Sequence, residues 1–539
     1  MPPVSCADSK FTKHRENSLA IRYPKEVDFP SMAPKPKDPQ AKTQGIVYLV
    51  GAGPGDPELV TLRGLRLIES ADVILYDNLA TPSLLTHAPE DVETKYVGRK
   101  RAKHAFTQQQ INEMLVEYAR GGKRVVRLKG GDPYLFGRGG EEAEALADAG
   151  IRFEVVPGVT SAVGVGAYAG VPLTHRDFTS AATFVTGHDV DAIDWSTLGS
   201  AETLVIFMGL TTFGDISRRL IEAGRAPSTP AVAVRWGTRG DQQTVEGTLE
   251  TLPAEIRQSG LKPPALIIVG EVVSLRRKLN WFEKLPLFGV SIVVTRASQQ
   301  AAGLSSRLRE LGAGVIELPT IETRAPDDWG PLDRAIAGLN SYDWLIFTSA
   351  NGVRYFTQRL DAGAGALRDL RAKICAIGPA TADAVASLHL KVDLMPEEYV
   401  AESVLAAFES EDLDGKNVLL PRAAVARDLI PVALRKRGAL IDVVAAYQTV
   451  PPDASSALAE KIFAADEKPD WITFTSSSTV KNFAKLCQAE HLPGERLQGV
   501  RIASIGPVTS RTIRELGFRV DAQAREYTVG GLVESIIEA

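Results

Sequence analysis

Two glycine-rich segments carry the residue types best suited to binding a small ligand. GAGPGDPELVTL (51–62) follows a predicted strand and opens a predicted helix, where a dinucleotide-binding turn would lie. Asp56 occupies the third glycine position of that fingerprint, and Pro54 and Pro57 lack amide donors for a pyrophosphate. A nicotinamide site is therefore disfavoured, although a tight turn without a ligand remains an alternative. VVRLKGGDPYLFGRGGEE (125–142) adds paired glycines and an aspartate just past another strand.

The elements that position these segments alternate between strand and helix. IVYLV (46–50), VILY, VVRL and FEVV are short apolar strands, and a helix is predicted over Leu59–Glu69. This alternation predicts an α/β domain with a largely parallel sheet. A second, strand-rich block starts near Ala181 with TFVTG, TLVIFMG, AVAVRWGT and ALIIVGEVV, and it predicts a separate mixed sheet. NWFEKLPLF (280–288) is the predicted linker to the rest of the chain.

The C-terminal half contains an internal duplication. VVTR, IET, WLIFTSANGVRYF, ICAIGPATADAV and EEYVAESVLAAF recur in the same order as LLPR, YQT, WITFTSSSTVKNF, IASIGPVTSRTI and REYTVGGLVESI, 126 to 128 residues later. The pairs include Arg296 with Arg422, Trp344 with Trp471, Gly378 with Gly506, and Tyr399 with Tyr527. A repeat of this length is too long for a solenoid unit. It predicts two similar α/β lobes facing a cleft, with ligands at the carboxyl ends of strands.

Composition restricts the partners. The formal net charge of −5 and a pI near 5.9 disfavour nucleic acid and anionic membranes as partners, because both require a basic surface.

Cys6, Cys375 and Cys487 are too widely spaced for a disulfide framework or a paired metal motif. No metal site is therefore predicted, and a reducing cytoplasm fits this cysteine usage. Residues 1–44 are rich in proline and charge and lack the apolar segment of a secretory signal, which predicts a disordered extension. An organellar presequence remains an alternative.

Six further segments follow the two glycine-rich ones in a fixed order: VVPGVTSA, PLTHRD, VTGH, FMG, WGT and RRKLNWF. The whole series, from about Ile46 to Phe282, resembles the uroporphyrinogen III C-methyltransferase family of tetrapyrrole methylases. The resemblance implies two α/β domains, at 45–180 and 181–283, with S-adenosylmethionine held between them. The cofactor positions that it implies are Pro54, Gly130, Gly131, Asp132, Leu135, Thr160, Ser161, Met208 and Gly237. A cationic cofactor without phosphates calls for carbonyl oxygens, a carboxylate and apolar walls.

The same resemblance assigns catalytic and substrate positions. Asp77 in LYDNL matches the family's proton acceptor, whereas an isolated aspartate there would be expected to cap a helix. The family's proton-donor lysine is replaced by Arg99, so either the neighbouring Lys100 serves or the role is dispensable. The substrate carries eight carboxylates, and a local group of cations could bind them or be solvated surface charges. This group comprises Arg99, Lys100, Arg101, Lys103, His104, Arg127, Lys129, Arg138, His175 and Arg176, of which Arg99, Arg138, His175 and Arg176 are the substrate-binding candidates.

The duplicated block, 284–539, resembles uroporphyrinogen III synthase. That resemblance implies one lobe built from 289–323 and 452–539 and another from 324–451. It also implies a cofactor-free closure of hydroxymethylbilane with inversion of the last pyrrole. Backbone donors beside Thr348, Ser349, Ser476, Ser477 and Ser478 could hold substrate carboxylates. Tyr447 matches the tyrosine of the family's YQT segment and either assists departure of the hydroxyl or packs at the hinge.

The two resemblances support each other, because the product of one half is the substrate of the other. We therefore expect a bifunctional enzyme that makes uroporphyrinogen III and methylates it twice to precorrin-2, in the sirohaem and cobalamin branch. Its expected partners are small-molecule tetrapyrroles, with neither nucleic acid nor membrane, and the methylase half is expected to form a homodimer. Methylation at another corrin-pathway carbon, and a C-terminal half that only binds tetrapyrrole, are the alternatives.

Overall fold

The computed structural model describes residues 45–89, 91–98, 106–295, 298–363, 365–396, 401–450, 458–460, 462–463, 468–489 and 497–539. The predicted N-terminal extension (1–44) lies outside this part of the chain. The candidates Arg99 and Lys100 and the neighbouring cations Arg101, Lys103 and His104 also lie outside it. Within it the chain forms four five-stranded sheets, two in each half.

The first sheet is fully parallel, in the order β3-β2-β4-β1-β5. Its strands are β1 (Ile46–Gly51), β2 (Val73–Tyr76), β3 (Glu93–Tyr96), β4 (Arg124–Lys129) and β5 (Arg152–Val156). The helices around it are α1 (Leu62–Ile68), α2 (Gln108–Arg120), α3 (Gly139–Asp148) and α4 (Ser161–Tyr168). Because neighbouring strands run in one direction, the turns after β1, β2 and β4 emerge at a single edge of the sheet.

The predicted helix over Leu59–Glu69 is wrong at its start. Asp56 instead caps a short 3₁₀ helix over Pro57–Leu59 by accepting the Glu58 amide, 3.0 Å away. The α-helix begins only at Leu62, where the Thr61 side chain accepts the Gly64 amide at 3.0 Å. The two caps divide what the sequence pattern presents as a single helix.

The second sheet is mixed, in the order β6-β7-β10-β8-β9. Only β6 and β7 are parallel to each other. The strands are β6 (Ala182–Thr186), β7 (Thr203–Phe207), β8 (Pro230–Arg235), β9 (Gln243–Thr248) and β10 (Ala265–Val269). The helices are α5 (Trp195–Leu198), α6 (Phe213–Glu222), α7 (Leu252–Ser259) and α8 (Arg276–Leu279). On one of its faces, α4 packs against β10, so the last helix of the first domain covers the second sheet.

The third sheet joins two distant parts of the chain. Its order is β12-β11-β18-β19-β20, all parallel. The strands are β11 (Ser291–Val294), β12 (Gly314–Glu317), β18 (Trp471–Phe474), β19 (Arg501–Ser504) and β20 (Ala522–Gln523). The helices of this lobe are α9 (Ser298–Glu310), α15 (Ser477–Ala489), α16 (Pro507–Glu515) and α17 (Val529–Ile537).

The fourth sheet holds the sequence between these two parts, in the order β13-β17-β16-β14-β15. Its strands are β13 (Glu322–Arg324), β14 (Trp344–Phe347), β15 (Lys373–Ala376), β16 (Asn417–Ala423) and β17 (Leu440–Val450). The helices are α10 (Gly330–Ala337), α11 (Ala350–Ala362), α12 (Pro379–Ala386), α13 (Ala401–Ala407) and α14 (Leu429–Lys436). Entry and exit run side by side, because β13 pairs antiparallel with the end of β17. The two lobes are therefore joined by two adjacent chain segments.

The segment predicted as a linker is packed rather than loose. Phe282 is buried, and the Trp281 indole donates to the Ala167 carbonyl at 3.1 Å. The Gly289 amide then donates to the Gly240 carbonyl at 3.1 Å. Gly240 lies so close to the third sheet that a Cβ built on it would stand 2.1 Å from the Gly314 nitrogen. The two halves are thus in direct backbone contact.

The predicted α/β class is confirmed, with two domains in the first half and two lobes in the second. No helix in the described part of the chain has the length and apolar character needed to cross a bilayer.

Candidate active site

The two glycine-rich turns meet at the carboxyl edge of the first sheet. The Gly131 amide donates to the Gly53 carbonyl at 2.7 Å, and the Gly53 amide returns a bond to the Gly131 carbonyl at 3.3 Å. The φ angle is positive at both residues, 79° at Gly53 and 67° at Gly131, and glycine adopts such angles without steric cost. These bonds join the backbone of two motifs that are distant in sequence, and the surface formed by Gly53 and Gly131 is called the floor of the site.

Asp132 and the start of α4 continue this floor. Asp132 accepts the Tyr134 amide with one carboxylate oxygen (2.8 Å) and the Gly158 amide with the other (3.1 Å). A Cβ built on Gly131 would lie 3.5 Å from the Ser161 nitrogen and 3.8 Å from the Thr160 Cα. The GGD turn therefore faces the N-terminus of α4, and two backbone donors fix the Asp132 side chain.

The second domain closes the site from the opposite side. The Asp56 amide donates to Thr238 Oγ1 at 3.0 Å, and the Asp56 carboxylate accepts the Tyr168 hydroxyl at 2.8 Å. Burial, followed by the charge of Asp56, raises the pKa of Tyr168. A Cβ on Gly164 would stand 2.5 Å from the Pro54 ring, and one on Gly237 would stand 2.5 Å from Val165. Pro54 and Gly237 thus lie against two neighbouring positions of α4.

Leu135 and Met208 belong to the same region but differ in exposure. Leu135 is half-buried against the core of the second domain, whereas Met208 follows β7 and is exposed. The two are linked through Phe136, whose ring centroid lies 4.7 Å from that of Phe207. The turns that carry the nine predicted cofactor positions therefore meet at this site, with the exposed Met208 at the rim.

Strained backbone conformations are concentrated in this region, and no sequence pattern indicates them. The non-glycine residues with positive φ in the described part of the chain are Phe136, Arg138, Met208, Trp236, Thr238 and His389. All except His389 lie on the turns just described. Each such conformation costs about 1–3 kcal/mol and persists only where its surroundings enforce it. Their concentration here is typical of a ligand-binding site.

The rim also carries exposed apolar side chains, of which the sequence analysis identified only Met208. They are Leu79, Tyr134, Phe136, Phe184 and Met208. Leu79 belongs to the turn after β2 and packs against Gly130, where a Cβ would meet the Leu79 Cβ at 2.4 Å. An apolar rim beside a polar backbone floor suits a large planar ligand with a polar edge.

Asp77 directly follows β2 at this edge of the sheet, and its side chain is 23% exposed. One carboxylate oxygen accepts the Leu79 amide at 3.0 Å, and the other pairs with the Arg127 guanidinium at 3.2 Å. An isolated aspartate would be expected to cap the N-terminus of a helix, but Asp77 does not do so. These bonds tie the carboxylate to a buried arginine.

The sequence suggested that Arg127 and Lys129 could bind substrate carboxylates or lie at the surface, but both are buried and paired. They are 4% and 3% exposed, and both bind Glu142 Oε1, at 3.1 Å and 2.9 Å. Burial, and then the charge of Arg127, lowers the pKa of Lys129. Both residues lie on central strand β4, where a charge is tolerated only when it is paired.

Three further substrate candidates of this half, Arg138, His175 and Arg176, are exposed or half-buried. Arg138 forms a two-point pair with Glu141, at 2.9 Å and 2.6 Å, which raises the pKa of the guanidinium. His175 accepts the Asp177 amide at 3.2 Å and packs against Phe178, with ring centroids 5.1 Å apart. Arg176 is exposed. Any substrate carboxylate at Arg138 must therefore share it with Glu141.

In the second half, the candidates of the fourth sheet lie at the ends of neighbouring elements. Thr348 follows β14, and Ser349 caps α11 by accepting the Gly352 amide at 3.0 Å. The Tyr447 hydroxyl lies 3.0 Å from Ser349 Oγ, and its ring stacks on Tyr355 with centroids 5.7 Å apart. Tyr447 is only 8% exposed. The structure thus joins Tyr447 to Ser349 but also provides the packing that the hinge interpretation requires.

The equivalent serines of the third sheet follow β18. Ser476 Oγ accepts the Thr479 amide at 3.3 Å and lies 2.9 Å from Ser478 Oγ. Ser477 accepts a bond from the Thr512 hydroxyl at 2.9 Å. Ser349 and Ser476 thus occupy corresponding strand-to-helix turns in the two lobes, as the duplication predicts.

Fold and site together define a class: a multidomain α/β protein with one small-ligand site between two sheets and a second, two-lobed half. Comparison with known proteins refines this class. Residues 46–253 match the family described as tetrapyrrole (corrin/porphyrin) methylases, and residues 302–534 match uroporphyrinogen-III synthase HemD.

Individual relatives agree with these matches. Porphyrin biosynthesis protein HemD from Ruminiclostridium josui is 37% identical over 92% of this chain and 98% of its own length. The chain spans about half the length of the siroheme synthases that it matches; that of Chromobacterium violaceum is 54% identical over 47% of this chain and 54% of its own. A solved uroporphyrin-III C-methyl transferase from Thermus thermophilus, complexed with S-adenyl homocysteine, is 41% identical over 43% of this chain and 100% of its own, with a TM-score of 0.38.

The chain therefore belongs to the porphyrin-biosynthesis proteins in which a tetrapyrrole methylase and a uroporphyrinogen-III synthase form one polypeptide. It is an enzyme of tetrapyrrole biosynthesis with a methyltransferase half and a synthase half.

Proposed function

We propose that the second half cyclises hydroxymethylbilane to uroporphyrinogen III and that the first half methylates this product twice, giving precorrin-2. The observation that carries the proposal is the floor formed by Gly53, Gly131 and Asp132 opposite Thr160 and Ser161, in a chain that also contains a synthase. We also propose the domain division of 45–180, 181–283 and 284–539, each part containing its own sheet or pair of sheets.

S-adenosylmethionine, when bound, would supply an activated methyl group on a sulfonium cation. The site fits it in kind, because it offers backbone carbonyls, a fixed carboxylate at Asp132 and the apolar side chains of Leu135 and Met208. Pro54 and Gly237 would bound it on the side of the second domain. In this scheme the protein mainly orients the reactants and excludes water, as expected for a displacement at an already activated carbon.

Asp77 would manage the remaining proton. When a pyrrole carbon forms its new bond to the methyl carbon, the sulfur–methyl bond breaks and the macrocycle must then lose one proton. The Asp77 carboxylate, partly exposed beside Leu79 and Gly130, is suited to accept it. Arg138, His175 and Arg176 would bind the peripheral carboxylates of the substrate, with Arg99 and Lys100 as further candidates.

In the synthase half, confinement of the linear substrate between the lobes would direct ring closure. Backbone donors beside Thr348, Ser349, Ser476 and Ser477 would hold its carboxylates. The Tyr447 hydroxyl, already in hydrogen-bond contact with Ser349, would donate a proton to the departing hydroxyl group. The leaving group departs as water, and the ring closes on the resulting cation with the last pyrrole inverted. The new carbon–carbon bond requires the macrocycle to lose one proton, and this proton would restore the Tyr447 hydroxyl.

The methylase part of the proposal is tested by assaying the purified chain with uroporphyrinogen III and S-adenosylmethionine. We expect the purified chain to add two methyl groups to supplied uroporphyrinogen III, and Asp77→Asn to slow this step by about a hundredfold, a scale set by loss of a general base. The exposed Asp148 at the end of α3 offers a matched control, and Asp148→Asn should behave as wild type. Normal turnover in Asp77→Asn would remove Asp77 from the mechanism.

A homodimer formed through the methylase half is also proposed, as the resemblance implies. Light scattering of the purified chain should give twice the chain mass. A monomer at all concentrations would contradict it.

A further inference from the structure

Four charged side chains form a buried group behind the proposed proton acceptor. Asp77, Arg127, Lys129 and Glu142 contribute two negative and two positive charges. Three of them are less than 5% exposed, and only Asp77 reaches the surface of the site. Buried charges are costly unless they are paired, and each charge of this group has an oppositely charged partner within it.

Arg127 is the centre of the group because it uses its donors in four directions. Nε donates to Glu142 Oε1 at 3.1 Å, and Nη2 donates to Asp77 Oδ2 at 3.2 Å. Nη1 donates to the Leu128 carbonyl at 3.1 Å and to the Leu75 carbonyl at 3.5 Å. A planar guanidinium held at Nε and Nη1 cannot rotate, so the position of Nη2 is fixed as well. A lysine at this place could not make these contacts together.

Glu142 is in turn held firmly. It lies in the first turn of α3, where the helix dipole favours a carboxylate, and it also accepts bonds from Lys129 (2.9 Å) and Gln108 (3.3 Å). The anchor of Arg127 is therefore a rigid helix end rather than a mobile surface side chain.

On its other side, Asp77 is joined to the cofactor turn. Its second oxygen accepts the Leu79 amide, and Leu79 packs against Gly130, directly before Gly131. The carboxylate is thus held between the Arg127 guanidinium and the turn that would carry the cofactor.

We infer that Arg127 is a positioning residue for methyl transfer: it fixes the Asp77 carboxylate at the cofactor turn and is itself out of reach of substrate. This inference rests on the proposed role of Asp77 as proton acceptor. It also changes the meaning of the RLKGGD segment. Its arginine and lysine are the internal support of a catalytic carboxylate, not a surface for substrate carboxylates.

The test is a double-mutant cycle on the full chain, measured with supplied uroporphyrinogen III and S-adenosylmethionine. Arg127→Lys keeps the charge but cannot hold Glu142 and Asp77 together, so kcat should fall about tenfold to a hundredfold while cofactor affinity and KM change little. Arg124→Lys is the matched control, since Arg124 lies on the same strand and is exposed. It should retain wild-type kcat and KM.

The cycle separates positioning from a general structural role. In the Asp77→Asn background, Arg127→Lys should reduce kcat by less than about twofold further, because the two residues act as one unit. A fully multiplicative loss would overturn the inference, and so would normal kcat in Arg127→Lys. Should Arg127→Lys fail to fold, Glu142→Gln loosens the same guanidinium and must give the same non-additive loss for the inference to stand.

The failure of the proposed function has a different signature. If Asp77→Asn alone retains wild-type kcat, the proton-acceptor role falls, and the inference falls with it. If Asp77→Asn is slow and Arg127→Lys is normal, only the inference is overturned.

Discussion

Gly131 offers the sharpest test of where the cofactor lies. A Cβ at this position would be in ordinary contact with the protein, 3.5 Å from Ser161 and 3.8 Å from Thr160. Gly131→Ala therefore creates no protein clash, and its methyl group would enter the space between the GGD turn and α4. We expect this substitution to weaken S-adenosylmethionine binding.

The magnitude has two parts, which a control separates. The φ of 67° at Gly131 costs a non-glycine residue about 1–2 kcal/mol of stability. Gly150 has a φ of 64° with nothing within 4 Å of its Cβ position, so Gly150→Ala carries the same backbone cost away from the site. A methyl group forced into an occupied site costs about 1–3 kcal/mol. That corresponds to a roughly fivefold to 150-fold higher Kd for Gly131→Ala alone.

Isothermal titration calorimetry with S-adenosylmethionine measures this difference, and thermal unfolding checks that both variants lose similar stability. Hydroxymethylbilane closure should be normal in both. Equal affinities for Gly131→Ala and Gly150→Ala would show that the GGD turn does not contact the cofactor, and would refute the assignment of this floor.

Three further outcomes are expected. Tyr447→Phe should slow ring closure roughly tenfold to a thousandfold and release more type I isomer. The loss of one hydrogen bond, about 1 kcal/mol, is too small to unfold the synthase half. An unchanged rate and isomer ratio would assign Tyr447 to packing. Gly240→Val must push the two halves apart, because its Cβ would lie 2.1 Å from the Gly314 backbone nitrogen. Calorimetry should then show cofactor affinity reduced about twofold to thirtyfold. Unchanged affinity would show that this contact does not influence the cofactor site. Burial raises the pKa of Cys375 to about 12 and of Cys487 to about 11. Because the thiolate is the reactive form, a Cys6→Ser variant should react with a thiol reagent at pH 8 only after unfolding. Rapid reaction of the native variant would contradict this burial.

Much of the fold follows from short-range patterns in the sequence. The apolar strands and glycine turns of the first half identify the sheet, because burial on both faces demands continuous apolar runs. The start of α1 could not be read in this way. Leu59 continues the helical pattern, and only the competing caps at Asp56 and Thr61 decide where the helix begins.

The site was harder to read from sequence than the fold. The glycine turns could be recognised, but their mutual bridge depends on which strands become neighbours, which no local pattern records. The sequence predicts Arg127 and Lys129 to be substrate-binding or solvated cations, because no local pattern indicates that both pair with Glu142 on the following helix. A signal was present: Arg127 and Lys129 flank Leu128 directly after Val125 and Val126, and a charge on a central parallel strand requires an internal partner. The strained backbone at Phe136 and Trp236 had no such signal, because positive φ at these residue types is imposed by tertiary contacts.

The central claim is that one chain carries out both steps, and a single reaction tests it most directly. The purified protein is mixed with hydroxymethylbilane and S-adenosylmethionine carrying a labelled methyl group, and the products are separated by isomer and by methyl content. We expect a type III macrocycle bearing two labelled methyl groups. Accumulation of unmethylated uroporphyrinogen III would contradict the methylase assignment, and formation of the type I isomer alone would contradict the synthase assignment.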